Sequence, residues 1–160
     1  MSVELLDRNL LCYRIGDPSG QYPVFSYEGS RLFPGRWNTP SSPMIYCAEH
    51  YSTAMLEKLV HGSGQMPPDQ HSITITLPHG VSYEQVTAHS LKGWDDPDRQ
   101  VSRDYGEQWF IEKRSLLLFV PSIVARMERN VLINPFHSEF VKVTHGVAEP
   151  VRWDERLFLV

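Results

Sequence analysis

Cysteine is scarce: Cys12 and Cys47 are the only two in 160 residues. Each lies in an apolar, strand-like run, where a buried free thiol is expected rather than a disulfide or a catalytic thiol. Long hydrophobic runs are missing too, and no stretch approaches the length needed to span a bilayer. The N-terminal MSVELLDRNL has no apolar core of the kind a signal peptide carries, so a cytoplasmic protein is expected. Positive charge is not in excess: 15 Lys and Arg against 19 Asp and Glu leave a net charge of -4. That balance gives no electrostatic footprint for nucleic acid, so direct DNA or RNA binding is not expected.

Signatures for metals and for phosphate loops are absent as well. His61, His71, His79 and His89 are widely spaced, with no H-E-x-x-H and no Cys/His pair at zinc spacing, so no metal site is assigned. Neither the P-loop nor the Rossmann glycine signature occurs. No repeat or low-complexity segment is evident. What remains is ordinary for one globular domain: 41% hydrophobic and 21% charged residues, in a chain long enough for a single core.

The chemistry-bearing residues concentrate between Gly29 and Val60, GSRLFPGRWNTPSSPMIYCAEHYSTAMLEKLV. Arg31 and Arg36 sit with Trp37 in a loop punctuated by Gly29, Pro34 and Gly35. Such turns let backbone approach a ligand closely, and a guanidinium fork can donate two hydrogen bonds to one phosphate. A single loop arginine is otherwise a solvated charge. Met44–Ala48 reads as a strand, in which Tyr46 either fills the core or offers its ring to a ligand. A helix follows from Tyr51 or Ser52 to about Val60, with Ser52 as its cap, His61-Gly62 as its stop, and Leu56, Leu59 and Val60 as its apolar stripe. Glu57 falls on an adjoining face with Thr53, Ala54 and His61, small neighbours that leave room beside a carboxylate.

Elsewhere, Leu10–Ile15 reads as a first strand with Arg14 near its end, either snorkelling at an edge or directed into a cleft. Gly16–Pro43 reads as a long loop. His71–Leu77 alternates cleanly as a half-buried strand, and residues 81–86 suggest another. Gln100–Lys113 has helical phase through Val101, Tyr105 and Trp109. Leu116–Val120 reads as a central strand ended by Pro121, which places Ser122 at a strand end. No G-x-S-x-G elbow surrounds Ser122, so it is not expected to be a hydrolase nucleophile. Asn130–Pro135 and Phe140–Val143 read as short strands, and Val147–Val160 as an extended aromatic tail, with Trp153 and Phe158 sealing the core or forming an interface.

These stretches together resemble the RES domain family, the toxin half of bacterial RES–Xre toxin–antitoxin pairs. The likeness is carried by Tyr13-Arg14, by GSRLFPGRWNTPSSPMIYCAE, by the acid in AMLEKL, and by LLLFVPSIVARMERNVLINPFHSEF. It runs through nearly the whole chain, read as one RES domain over 1–160. Pro34 departs from the glycine expected before Gly35. The resemblance implies an α+β fold similar to the diphtheria-toxin type of ADP-ribosyltransferase, a mixed β core flanked by a few helices. It implies that NAD+ is substrate rather than cofactor, that its loss arrests growth, and that an Xre-type helix-turn-helix antitoxin is the partner. A homodimer is also suggested. The site positions implied are Glu57, Arg14 and Ser122 for catalysis, with Arg14, Arg36, Tyr46 and Ser122 on NAD+ and Arg31, adjacent by sequence, as a weaker NAD+-binding candidate. Transfer of ADP-ribose to a protein or to phosphate, or a ribonuclease-type toxin, are the alternatives.

Overall fold

A computed structural model describes residues 2–158. The strands are β1 (Glu4–Leu5), β2 (Leu10–Gly16), β3 (Ile45–Ala48), β4 (His71–Leu77), β5 (Ser82–Gln85), β6 (Leu117–Pro121), β7 (Arg129–Ile133), β8 (Thr144–His145) and β9 (Glu149–Pro150). Three helices join them: α1 (Glu28–Leu32), α2 (Tyr51–His61) and α3 (Gln100–Glu112). The strands form one sheet in the order β1-β5-β6-β7-β3-β2-β4-β8, with β9 also on β4. The β5–β6 pair is parallel and the other pairs are antiparallel. A parallel pair needs a long crossover, and α3 supplies it. The α+β class and mixed core expected from the sequence are therefore present.

Side-chain alternation splits each central strand between two cores. In β6, Leu117 and Phe119 join one cluster, while Leu118 and Val120 join the other. In β7, Val131 and Ile133 face the first and Leu132 the second. Burial on both faces explains why these segments read as near-continuous apolar runs. In β4 the alternation places Ile73, Ile75 and Leu77 in the first core. The second core packs under α3, whose buried stripe is Ser102, Gly106, Trp109 and Phe110. Trp37 stacks on Trp94 there, ring centroids 6.4 Å apart. At the end of β3, Arg129 donates to Glu49 through Nε at 2.7 Å and Nη2 at 2.6 Å, tying β3 to β7. Those bonds and the guanidinium charge hold the Glu49 carboxyl below its ordinary range.

Several expectations are corrected. The stripe of α2 is not Leu56, Leu59 and Val60: Leu56 and Val60 are exposed, and the buried residues are Thr53 and Ala54. The helix packs on Ile15 and Ala48 through the small Ala54, with Met55 half-buried beside it. Its cap is His50 rather than Ser52, without a side-chain hydrogen bond. The loop from Gly16 to Pro43 contains α1, tied to β3 by Ser30, whose hydroxyl donates to the Met44 carbonyl at 2.7 Å. Phe140–Val143 is not a strand but part of a 3-10 turn, Ser138–Lys142, where the His137 ring accepts the Glu139 N–H at 3.1 Å. The tail carries β9 and a second 3-10 turn, Glu155–Phe158. The expected extended stretch at residues 159–160 lies outside the described residues. Among the described residues no helix is long and apolar enough to cross a membrane.

Candidate active site

The β2–β3 ladder has the single register pair Tyr13↔Ala48. Beyond it the two strands part, and Arg14 spans the gap. Its Nε donates to the Val24 carbonyl at 2.6 Å, its Nη1 to the Tyr46 carbonyl at 2.8 Å, and its Nη2 to the Ser26 carbonyl at 3.4 Å. Arginine carries five N–H donors, so two remain without an acceptor among the described residues. Burial lowers the Arg14 pKa from its ordinary value, with the nearby Cys47 thiol opposing.

A cleft of about 660 Å³ opens at this split, between α2, the sheet and the loop before β3. That volume is in the range of small-molecule sites. Arg14, Arg36, Tyr46 and Glu57 all line it. Four residues named from the sequence, up to 43 positions apart, thus share one cavity.

Glu57 reaches the cleft because α2 turns its small face to the sheet. Its Oε1 accepts the Ser122 hydroxyl at 2.8 Å and the Asn130 side-chain N–H at 2.8 Å. Both bonds fall on one oxygen, so Oε2 has no partner among the described residues. Ser122 is fully buried and does not itself line the cleft. Its oxygen also accepts the Ala125 N–H at 3.1 Å. Ser122 therefore holds the acid and the turn after β6, from behind the cavity wall.

Tyr46 forms part of the floor. Its hydroxyl donates to Asn38 Oδ1 at 2.7 Å and accepts the Trp37 N–H at 3.1 Å. Burial pushes the Tyr46 pKa well above the usual phenol value, against the pull of the Trp37 N–H. The ring lies directly beneath Gly35: a Cβ there would sit 2.7 Å from Tyr46 Cζ. That close approach is why the turn of the GRWN stretch needs glycine. Arg36 Nη1 donates to the carbonyls of Trp94 at 3.2 Å and Asp96 at 2.9 Å. Burial lowers its pKa, and the charge of Arg99 adds to the effect.

Arg31 is not part of this constellation. It pairs with Glu28 at 3.2 Å, lies over the Tyr27 ring, and borders a separate shallow depression with Pro43, Phe110 and Phe136. The three-residue offset between Glu28 and Arg31 puts both on one face of α1, which the expected loop did not contain. Lining residues that the sequence reading missed are Asn130, Lys58 and Arg99. Asn130 opens the apolar run NVLI, a position that local sequence cannot distinguish from an ordinary strand start. Among the described residues, no group of three or more His, Cys, Asp or Glu is placed to hold a metal.

The fold is that of a known family. The RES domain profile matches residues 11–154. The chain belongs to the RES domain family. It is 38% identical to a protein named Prs ADP-ribosylating toxin from Sphingobium sp. (strain YBL2), over 79% of this chain and 83% of that one. It is 29% identical to Toxin Res of Photorhabdus laumondii, over 86% and 90% of the two chains. A chain of the M. tuberculosis MbcT–MbcA toxin–antitoxin complex shares the fold, with a TM-score of 0.73 over 92% of this chain and 86% of that one, at 15% identity.

Proposed function

We propose that this protein is the toxin of a toxin–antitoxin pair and that its cleft cleaves the nicotinamide–ribose bond of NAD+. The observation that carries the reading is Glu57, a carboxylate fixed through one oxygen by Ser122 and Asn130, with the other oxygen unpartnered in an arginine-bordered cleft. The membership of the family and the name of the Sphingobium relative support it. Breaking the bond sends its electron pair to the pyridinium nitrogen, which becomes neutral nicotinamide. The ribose gains oxocarbenium character at the carbon left behind. A carboxylate beside that ribose stabilises the positive charge. The leaving group departs without a proton, so one acid suffices. The oxygen of an acceptor then bonds to the same carbon and loses its proton.

Arg14 and Arg36 are assigned to the dinucleotide, and the Tyr46 ring to the flat nicotinamide cation. Ser122 is assigned to Glu57 rather than to the substrate. NAD+ is consumed rather than retained as a cofactor. An Xre-type antitoxin as partner is consistent with the toxin–antitoxin complex that shares the fold. A cytoplasmic location and a homodimer complete the proposal. Transfer of ADP-ribose to a protein is the second reading, favoured by the name of the 38% identical relative. Incubating NAD+ with the purified protein and resolving products by mass separates the two. Free ADP-ribose supports hydrolysis, an ADP-ribosylated macromolecule supports transfer, and intact NAD+ contradicts both.

Ser122→Ala is expected to lower kcat about 10- to 100-fold with KM little changed, because it loosens the acid without touching the substrate. It also leaves the Ala125 N–H and one Glu57 bond unmet in a buried place, which costs about 1–3 kcal/mol of stability. Initial rates and a thermal melt check both parts. A raised KM at unchanged kcat would return Ser122 to the substrate.

A further inference from the structure

Two arginines line the end of the cleft where α3 begins, Arg36 and Arg99, and the charges of Arg103 and Arg126 also act on Arg36. Asp95, in the loop before Arg99, offsets part of this positive charge at Arg36. Arg126 has a carboxylate partner, Asp95 at 2.8 Å. Arg103 donates through Nε to the Gly35 carbonyl at 3.2 Å. Arg36 uses only Nη1, on two carbonyls, which leaves its Nε–Nη2 edge without an acceptor among the described residues. That edge is the one able to take two oxygens of a single anion. Arg99 is half-buried and lines the cleft, and its guanidinium has no hydrogen-bond or ion-pair partner among the described residues.

The backbone at Arg99 is also unusual. It caps α3 with φ 59° and ψ 14°, in the left-handed region that non-glycine residues rarely adopt. Its carbonyl is held by the Arg103 N–H at 3.0 Å and by the Ser102 hydroxyl at 3.2 Å. Strain of this kind persists only where surrounding contacts enforce it, and it gathers at ligand sites. Arg36 and Arg103 are held by carbonyls rather than carboxylates, and the Arg99 guanidinium by neither, which leaves an anion as the missing member at this wall.

We propose that Arg99 and the free edge of Arg36 form the subsite for the diphosphate of a dinucleotide, which lies along the cleft with its diphosphate at the start of α3 and its reactive ribose at Glu57. The identity of the ligand rests on the proposed function; the anion subsite rests on the arginines themselves. It gives Arg99 a binding role beside Arg14, which also braces β2 against β3.

The test is calorimetric titration of the full chain with ADP, inorganic phosphate and adenosine. It compares wild type with Arg99→Gln, Arg99→Gly and, as a remote loss of one positive charge, Arg152→Ala. ADP is expected to bind wild type more tightly than phosphate or adenosine does. Arg99→Gln is expected to weaken ADP at least tenfold and to leave adenosine unchanged. Arg99→Gly is expected to lose ADP equally while melting no lower than wild type, since glycine adopts that φ freely. Arg152→Ala is expected to bind as wild type does. An ADP affinity unaffected by Arg99→Gln, or lowered as much by Arg152→Ala, overturns the assignment. So does a wild type that binds no ADP, or that takes phosphate as tightly as ADP, the behaviour of an acceptor site. Arg99-dependent ADP binding in a protein that leaves NAD+ intact would uphold the subsite and sink the cleavage reading. Cleavage of NAD+ with Arg99-independent ADP binding would do the reverse.

Discussion

Glu57→Gln is expected to lower NAD+ turnover by about three orders of magnitude while the fold survives. Glutamine has the same shape, and its Oε1 still accepts from Ser122 and Asn130, which both donate to Oε1 of the native side chain. What disappears is the negative charge at the unpartnered oxygen. A factor of about 1,000 corresponds to about 4 kcal/mol of transition-state stabilisation. Losses of 100- to 1,000-fold are typical when one preorganised electrostatic partner is removed, and a full charge belongs at the upper end of that range. Two charge-assisted hydrogen bonds become neutral ones, a cost of about 1 kcal/mol. For a chain of 160 residues that lowers Tm by about 2–4 °C. Rates and melting curves on the same preparation check the split. Glutamine at full activity would remove the acid from the mechanism.

Gly106→Ala is expected to destabilise the protein, against what helix propensity alone implies. In an exposed helix interior alanine would gain about 1 kcal/mol over glycine. Here a Cβ would stand 1.9 Å from the Trp37 carbonyl oxygen and 2.9 Å from its carbon. The obstacle is backbone, packed under a helix, so it cannot swing aside. Overpacking of this kind costs about 3 kcal/mol, which exceeds the propensity gain by about 2 kcal/mol. The expected fall in Tm is about 4–8 °C. Activity falls with it, because the displaced segment carries Arg36 and the Gly35 backbone that lies on Tyr46. A thermal melt decides the sign, and a Tm at or above wild type would mean that α3 is not seated on the loop as described.

Where periodicity was local, the sequence was readable. The alternation of His71–Leu77 matches β4 in both limits and facing, and the helix expected after Gln100 is α3, although its buried stripe is Ser102, Gly106, Trp109 and Phe110, with Val101 and Tyr105 half-buried. The pairing of Glu57 with Thr53 and Ala54 on one face of α2 was also visible, and it is what brings the acid into the cleft. The apolar stripe of the same helix was misread for a physical reason. A buried helix face need not carry large residues, and α2 packs on Ile15 and Ala48 through the small Ala54, with Met55 half-buried beside it. The single register pair between β2 and β3, which opens the cleft, depends on strand order and leaves no periodic trace. Arg31 and Arg36 stood in one presumed loop, with Arg31 the weaker candidate, adjacent to the site by sequence. The short helix α1 sends Arg31 to Glu28 and the other surface. Arg99 escaped notice because a left-handed cap on a non-glycine residue is imposed by the fold around it.

The most direct measurement is NAD+ consumption by the purified, antitoxin-free protein, with Glu57→Gln beside it and products resolved by mass. Release of nicotinamide by the wild type, reduced about a thousandfold in a folded Glu57→Gln variant, is the expected result. Intact NAD+ after prolonged incubation with folded wild type, or equal consumption by the two proteins, would contradict the assignment of this cleft.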